Sequence, residues 1–61
     1  MTFSELMKTT YCMQPVKLKF GEETISGGAE ALDCYLIDEI TKAEVEEITI
    51  EGNVMKVWVK A

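Results

Sequence analysis

Two stretches of strict alternation, each doubling back at a glycine, constrain this chain more than any other feature. In the clearer one, Ile48 and Ile50 alternate with Glu47, Thr49 and Glu51. Gly52-Asn53 follows, and Met55, Val57 and Val59 then alternate with Val54, Lys56, Trp58 and Lys60. Alternation with period two marks a strand with one buried face, and a glycine-led pair between two such runs closes a hairpin. A two-residue turn sets Ile50 opposite Met55 and Ile48 opposite Val57, which gathers five apolar side chains on one face. In the second stretch Val16, Leu18 and Phe20 alternate with Lys17 and Lys19, and Gly21-Glu22 fits a type II′ turn with positive φ at Gly21. That register pairs Phe20 with Glu23, Lys19 with Thr24, Leu18 with Ile25 and Lys17 with Ser26, so Leu18 and Ile25 meet on the same side.

A hairpin alone is marginal in water, so each needs cover for its apolar face. Two helical segments are available. Thr2-Phe3-Ser4-Glu5 has the form of a capping box, with Met1 and Leu6 at the staple positions and Phe3, Leu6 and Met7 on one face; it predicts a short helix over residues 3–9. Ala29, Leu32, Leu36, Ile37 and Ile40 fall on one helical stripe and predict a helix over residues 29–40. No glycine marks its end, and Thr41-Lys42-Ala43-Glu44 reads as a second capping box or as a loop. The order is α-β-β-α-β-β. It predicts one α+β domain over residues 1–61, a four-stranded antiparallel sheet of two hairpins with both helices on one face. The strand order within the sheet stays open.

Sixty-one residues leave room for one thin core and for no deep cleft. No apolar run approaches the roughly 20 residues of a membrane span, and the N-terminal residues do not read as a secretory signal. The chain has no histidine and no arginine, and its net charge is −5. It therefore lacks the commonest general base, the commonest metal ligand and the bidentate fork that reads phosphate or guanine. Cys12 and Cys34 are too few and too far apart for a zinc site. They read as two reduced thiols, Cys34 in a helix and Cys12 in a connector, which points to a cytoplasmic setting.

Chemistry is correspondingly sparse. Asp38-Glu39 and Glu46-Glu47 read as solvated faces and not as the paired acids of a hydrolase, which must face each other across a cleft. Ser26-Gly27-Gly28 lacks the lysine and spacing of a phosphate loop and reads as a strand-to-helix turn. The chain is expected to have no catalytic residues, no metal and no cofactor.

The outer sheet face is the candidate site. Alternation places Lys17, Lys19, Lys56, Trp58 and Lys60 there, which is four of the six lysines and the only tryptophan. A lysine-flanked tryptophan anchors a protein partner well, and it also stacks a nucleotide base. The acidic net charge makes nucleic acid the weaker of these. Val54 and Trp58 on the outer face, together with two open sheet edges, further predict a homodimer with Trp58 at or near its interface.

The runs Thr2-Phe3-Ser4-Glu5-Leu6-Met7, Val16-Lys17-Leu18-Lys19-Phe20, Glu23-Thr24-Ile25-Ser26-Gly27 and Val45-Glu46-Glu47-Ile48 through Val57-Trp58-Val59 together resemble a class of small acidic proteins. These are encoded in phages, prophages and mobile elements of Gram-positive gut bacteria. The resemblance covers most of the chain as a pattern. It implies a context and no catalytic residues. Small acidic phage proteins include inhibitors of host-defence nucleases, some of them mimics of DNA. The expectation is a non-enzymatic cytoplasmic interaction protein that binds a host or phage protein. The alternatives are a nucleotide or single-strand binder and a structural or assembly component.

Overall fold

The computed structural model describes residues 1–61. Its elements are α1 (Phe3–Thr9), β1 (Pro15–Phe20), β2 (Glu23–Gly28), α2 (Ala29–Tyr35), α3 (Asp38–Thr41), β3 (Val45–Glu51) and β4 (Val54–Val59). The capping box forms as the sequence predicts. Glu5 N–H donates to Thr2 Oγ1 at 3.2 Å, and Thr2 N–H donates to Glu5 Oε1 at 2.8 Å. Both hairpins close in the predicted registers, Leu18 opposite Ile25 and Ile48 opposite Val57. Each turn has positive φ at its glycine, 60° at Gly21 and 62° at Gly52, and negative φ at the residue after it, as a type II′ turn requires.

The assembly of the hairpins corrects the expectation of a purely antiparallel sheet. The strand order is β2-β1-β4-β3, and β1 runs parallel to β4, with Val16 beside Met55 and Leu18 beside Val57. The sheet is mixed. The strands at its centre carry the fullest apolar rows, Val16-Leu18-Phe20 and Met55-Val57-Val59, while the edges carry glycines or glutamates. Central strands are covered on the core face by helices and so profit most from large apolar side chains.

The long second helix is also corrected: it is two short helices. Leu36 and Ile37 take extended conformations, with ψ of 151° and 157°, and separate α2 from α3. Electrostatics favours the break. In a continuous helix Asp38 and Glu39 would lie near a C-terminus, where the dipole opposes negative charge. In the observed fold they occupy the first turn of α3, where the dipole favours them.

The core consists of Phe3, Leu6 and Met7 from α1, Ala29 and Leu32 from α2, Ile40 from α3, and Val16, Leu18, Val57 and Val59 from the central strands. Phe3, Leu18 and Val57 are completely buried. Gly27 lies beneath Leu32. A Cβ there would stand 3.2 Å from Leu32 Cδ2, so the missing side chain lets α2 sit close on β2. Of the side chains that the strand and helix patterns place on apolar faces, Ile37, Ile48 and Ile50 lie outside the core, exposed. Ile37 is lost with the helix break. Ile48 and Ile50 stand on the core face of β3, an edge strand that the helices do not cover.

Residues 43–45 join the two ends of the chain. Lys60 N–H donates to Glu44 O at 2.9 Å, whereas Val45 N–H donates to Met1 O at 2.8 Å and Phe3 N–H donates to Ala43 O at 3.0 Å. Thr2 and Glu44 thus form an antiparallel bridge on the side of the segment that faces away from β4. The Met1 ammonium adds an ion pair with Glu44 Oε2 at 3.0 Å.

Candidate functional site

The parallel pairing of β1 with β4 brings the predicted outer-face residues together. Lys17 lies beside Lys56, and Lys19 lies beside Trp58. Adjacent strands are about 4.8 Å apart, so each pair shares one row across the face. The rows continue onto the edges: Thr24, Lys19, Trp58 and Glu47 form one, and Ser26, Lys17, Lys56 and Thr49 form the other. No helix covers this face, since every helical core residue packs with the opposite side. Lys60 stands apart from the group, one residue beyond the end of β4 and exposed.

The rows also temper the charge. Lys56 Nζ reaches Glu51 Oε2 at 3.0 Å and is committed to it. The Lys56 hydrogen bond and charge hold the Glu51 carboxyl below its ordinary value, with a smaller contribution from Lys17. Glu47 closes the Trp58 row on the other side. Trp58, Lys19 and Lys56 are half-buried, as long lysine stems lying along a ring would leave them. The face therefore grades from lysines on β1, through Trp58 on β4, to glutamates on β3.

Two concavities lie at the end of the sheet where β1 and β4 start, and the larger is lined in part by Lys17 and Ser26 of the outer face; alternation alone pointed to neither as a cavity. The larger, about 640 Å³, opens between α2 and the starts of β1 and β4; Cys12, Cys34, Met13, Tyr35 and Val54 contribute to its walls. It forms because the connector after α1 is tied to the start of α2, with Glu30 N–H donating to Cys12 O and Ala29 N–H to Gln14 O, both at 3.0 Å. Both cysteines are free thiols and exposed. The smaller, about 370 Å³, lies at the β3–β4 turn, with Tyr11, Met13 and Ile50 on its rim. Gln14 Nε2 donates to Asn53 O at 2.6 Å and fixes the connector to that turn. The one sequence signal that bears on this region is the presence of Glu46, Glu47 and Glu51 in the same strand as Ile48 and Ile50, which suits a sheet edge better than its centre.

No three of the cysteine, aspartate and glutamate side chains converge as a metal ion requires. No helix is long and apolar enough to cross a membrane. Comparison of the chain with protein families, with curated proteins and with solved structures finds no match.

Proposed function

We propose that this chain is a small non-enzymatic interaction protein that acts by binding another protein. The observation that carries the reading is the amount of large apolar surface left bare on so small a body. Tyr11, Met13, Tyr35, Ile37, Ile48 and Ile50 are all exposed, and Tyr11, Met13 and Ile50 adjoin one depression at the β3–β4 turn. Contiguous exposed apolar surface marks contact sites, whereas scattered single residues do not. The resemblance to small acidic phage proteins supplies a setting, a bacterial cytoplasm, and a partner class, a host or phage protein. Inhibition of a host-defence nuclease by acidic mimicry belongs to the same reading. So does a homodimer that buries Trp58, because the graded outer face sets lysines and glutamates on opposite flanks of that ring.

The test is capture from a Gram-positive host lysate at several salt concentrations, run in parallel with Trp58→Ala and Ile50→Lys. A partner retained by the parent protein and lost with one variant supports the reading; no partner under any condition counts against it. A second reading, a nucleotide or single-strand binder, is favoured by the adjacency of Lys19 and Trp58 across β1 and β4. Titration of Trp58 fluorescence with oligonucleotides at low salt separates the two. A flat titration removes the second.

A further inference from the structure

β3 is an edge strand whose far side is only partly occupied. Its hairpin register fixes which backbone groups are free. Glu51 and Val54 flank a two-residue turn and exchange hydrogen bonds, so Thr49 does the same with Lys56. Ile48 and Ile50 fall at the alternate positions, where N–H and C=O point away from β4. Their side chains are exposed, 42 % and 62 %, on the sheet face that elsewhere forms the core. Beside Ile50 lie Tyr11 and Met13, 70 % and 71 % exposed, on the rim of the same depression. The opposite side of the strand presents Glu47 and Glu51. The edge thus offers a hydrogen-bonding row, an apolar row below it and an acidic row above it.

The same side is already used by an extended segment one step away. Met1-Thr2-Phe3 runs antiparallel to residues 43–45 and makes two backbone hydrogen bonds with them. The regular edge stops between Val45 and Glu47, where the register shifts at a bulge. Residues 47–51 are the part left open.

We infer that this open edge binds an extended segment of a partner protein by strand addition, and that the segment alternates cationic and aliphatic residues. The inference rests on the protein-binding reading above and names the surface and the partner chemistry. Cationic side chains of the added strand face Glu47 and the outer side of Glu51, whose other flank Lys56 already pairs, while its aliphatic side chains pack beside Ile48 and Ile50. Main-chain bonds to Ile48 and Ile50 supply affinity, and the two rows supply selectivity. A second copy of this chain fits less well. Two β3 strands paired about Thr49 set Glu47 against Glu51 twice, and each body already carries a charge of −5.

The probe is a capped synthetic decapeptide of alternating lysine and valine, titrated into isotope-labelled protein. Saturable amide shifts are expected at residues 47–51, with slowed hydrogen exchange at Ile48 and Ile50. Ile50→Pro removes a free donor without breaking the β3–β4 ladder and abolishes binding. Ile50→Lys keeps the donor and removes the apolar contact, which covers the case where the proline variant misfolds. Glu47→Lys weakens binding by about threefold, the worth of an exposed cross-strand pair reversed. A glutamate–valine decapeptide is expected not to bind. Equal binding of that acidic peptide overturns the inference, as do shifts confined to Lys17, Lys19 and Trp58, or no shifts at all. Protection of Ile48 and Ile50 that grows with protein concentration alone also overturns it, by making a second copy the occupant. If the titration fails while lysate capture persists, only the edge assignment falls; if both fail, the wider reading falls with it.

Discussion

Ser4 Oγ donates to Asp33 Oδ1 at 2.7 Å, and this is the only side-chain hydrogen bond that joins α1 to α2. It ties together two seven-residue helices, each too short to be stable alone in water. Ser4→Ala is expected to cost about 1 kcal/mol, the usual worth of such a bond. In a domain of this size that lowers Tm by about 4–8 °C. A double-mutant cycle with Asp33→Ala measures the coupling directly, and additivity of the two single changes would show that the bond contributes nothing.

Gly27 gives a sharper test of packing. Its backbone has negative φ, so alanine is conformationally permitted and should even gain from a less flexible unfolded chain. Against that gain, the new Cβ stands 3.2 Å from Leu32 Cδ2 and 3.4 Å from Leu32 Cγ, and Leu32 is buried. Cγ is in ordinary contact, but Cδ2 must give by a few tenths of an ångström, and the burial of Leu32 leaves it little room to turn. Gly27→Ala is expected to destabilise by about 1 kcal/mol, at the low end for overpacking. A urea midpoint equal to or above that of the parent protein would show that α2 yields freely.

Burial should divide the apolar residues of the sheet into two classes. Leu18→Ala removes a completely buried side chain from a central strand and is expected to cost about 2–5 kcal/mol, a large part of the stability of a chain this short. Ile50→Thr, on the same face of the sheet, keeps a β-branched residue at an exposed position and is expected to stay within about 0.5 kcal/mol. Comparable losses from the two would place Ile50 inside the folded core or inside an oligomer.

The acid limb of stability should carry the signature of two carboxylates. The Thr2 backbone N–H, then the Thr2 hydroxyl, hold Glu5 below its ordinary 4.5, and Lys56 does the same for Glu51. A carboxyl whose pKa is depressed by folding contributes stability that is complete above its unfolded value and is lost as pH falls through the folded one. Urea midpoints are therefore expected to hold down to about pH 4.5 and to fall below it. Glu5→Gln retains an acceptor for Thr2 N–H and loses the charge, so its acid limb should be shallower. Both groups are exposed, and the difference is expected to be small. An identical pH profile for Glu5→Gln would assign the acid limb to other groups.

Local structure was legible in the sequence wherever two signals coincided. Alternation and a glycine turn together fixed both hairpin registers, and Thr2 with Glu5 fixed the start of α1. The pairing of β1 with β4 was not legible, because nothing in either hairpin states which edge meets which. The break at Leu36-Ile37 was masked by an apolar stripe that fits a continuous helix; only the acidic pair Asp38-Glu39 argued for a new helix start. For the candidate site, alternation placed Lys17, Lys19, Lys56 and Trp58 on one face, but their adjacency depended on the unread strand order. The bare edge at Ile48 and Ile50 was hidden for the same reason, since alternation shows which side of a strand is apolar and not whether anything lies upon it.

The parallel junction of β1 and β4 also sets the order in which the molecule can assemble. Each hairpin closes over a few residues and can form in microseconds, but neither has a finished core by itself. Val16 must find Met55 about forty residues along the chain before the first shared layer exists, and the entropy of closing that loop is lost before the contact returns anything. The rate of folding should therefore respond to changes along Val16, Leu18 and Val57, while changes at either turn should alter mainly how fast the protein comes apart.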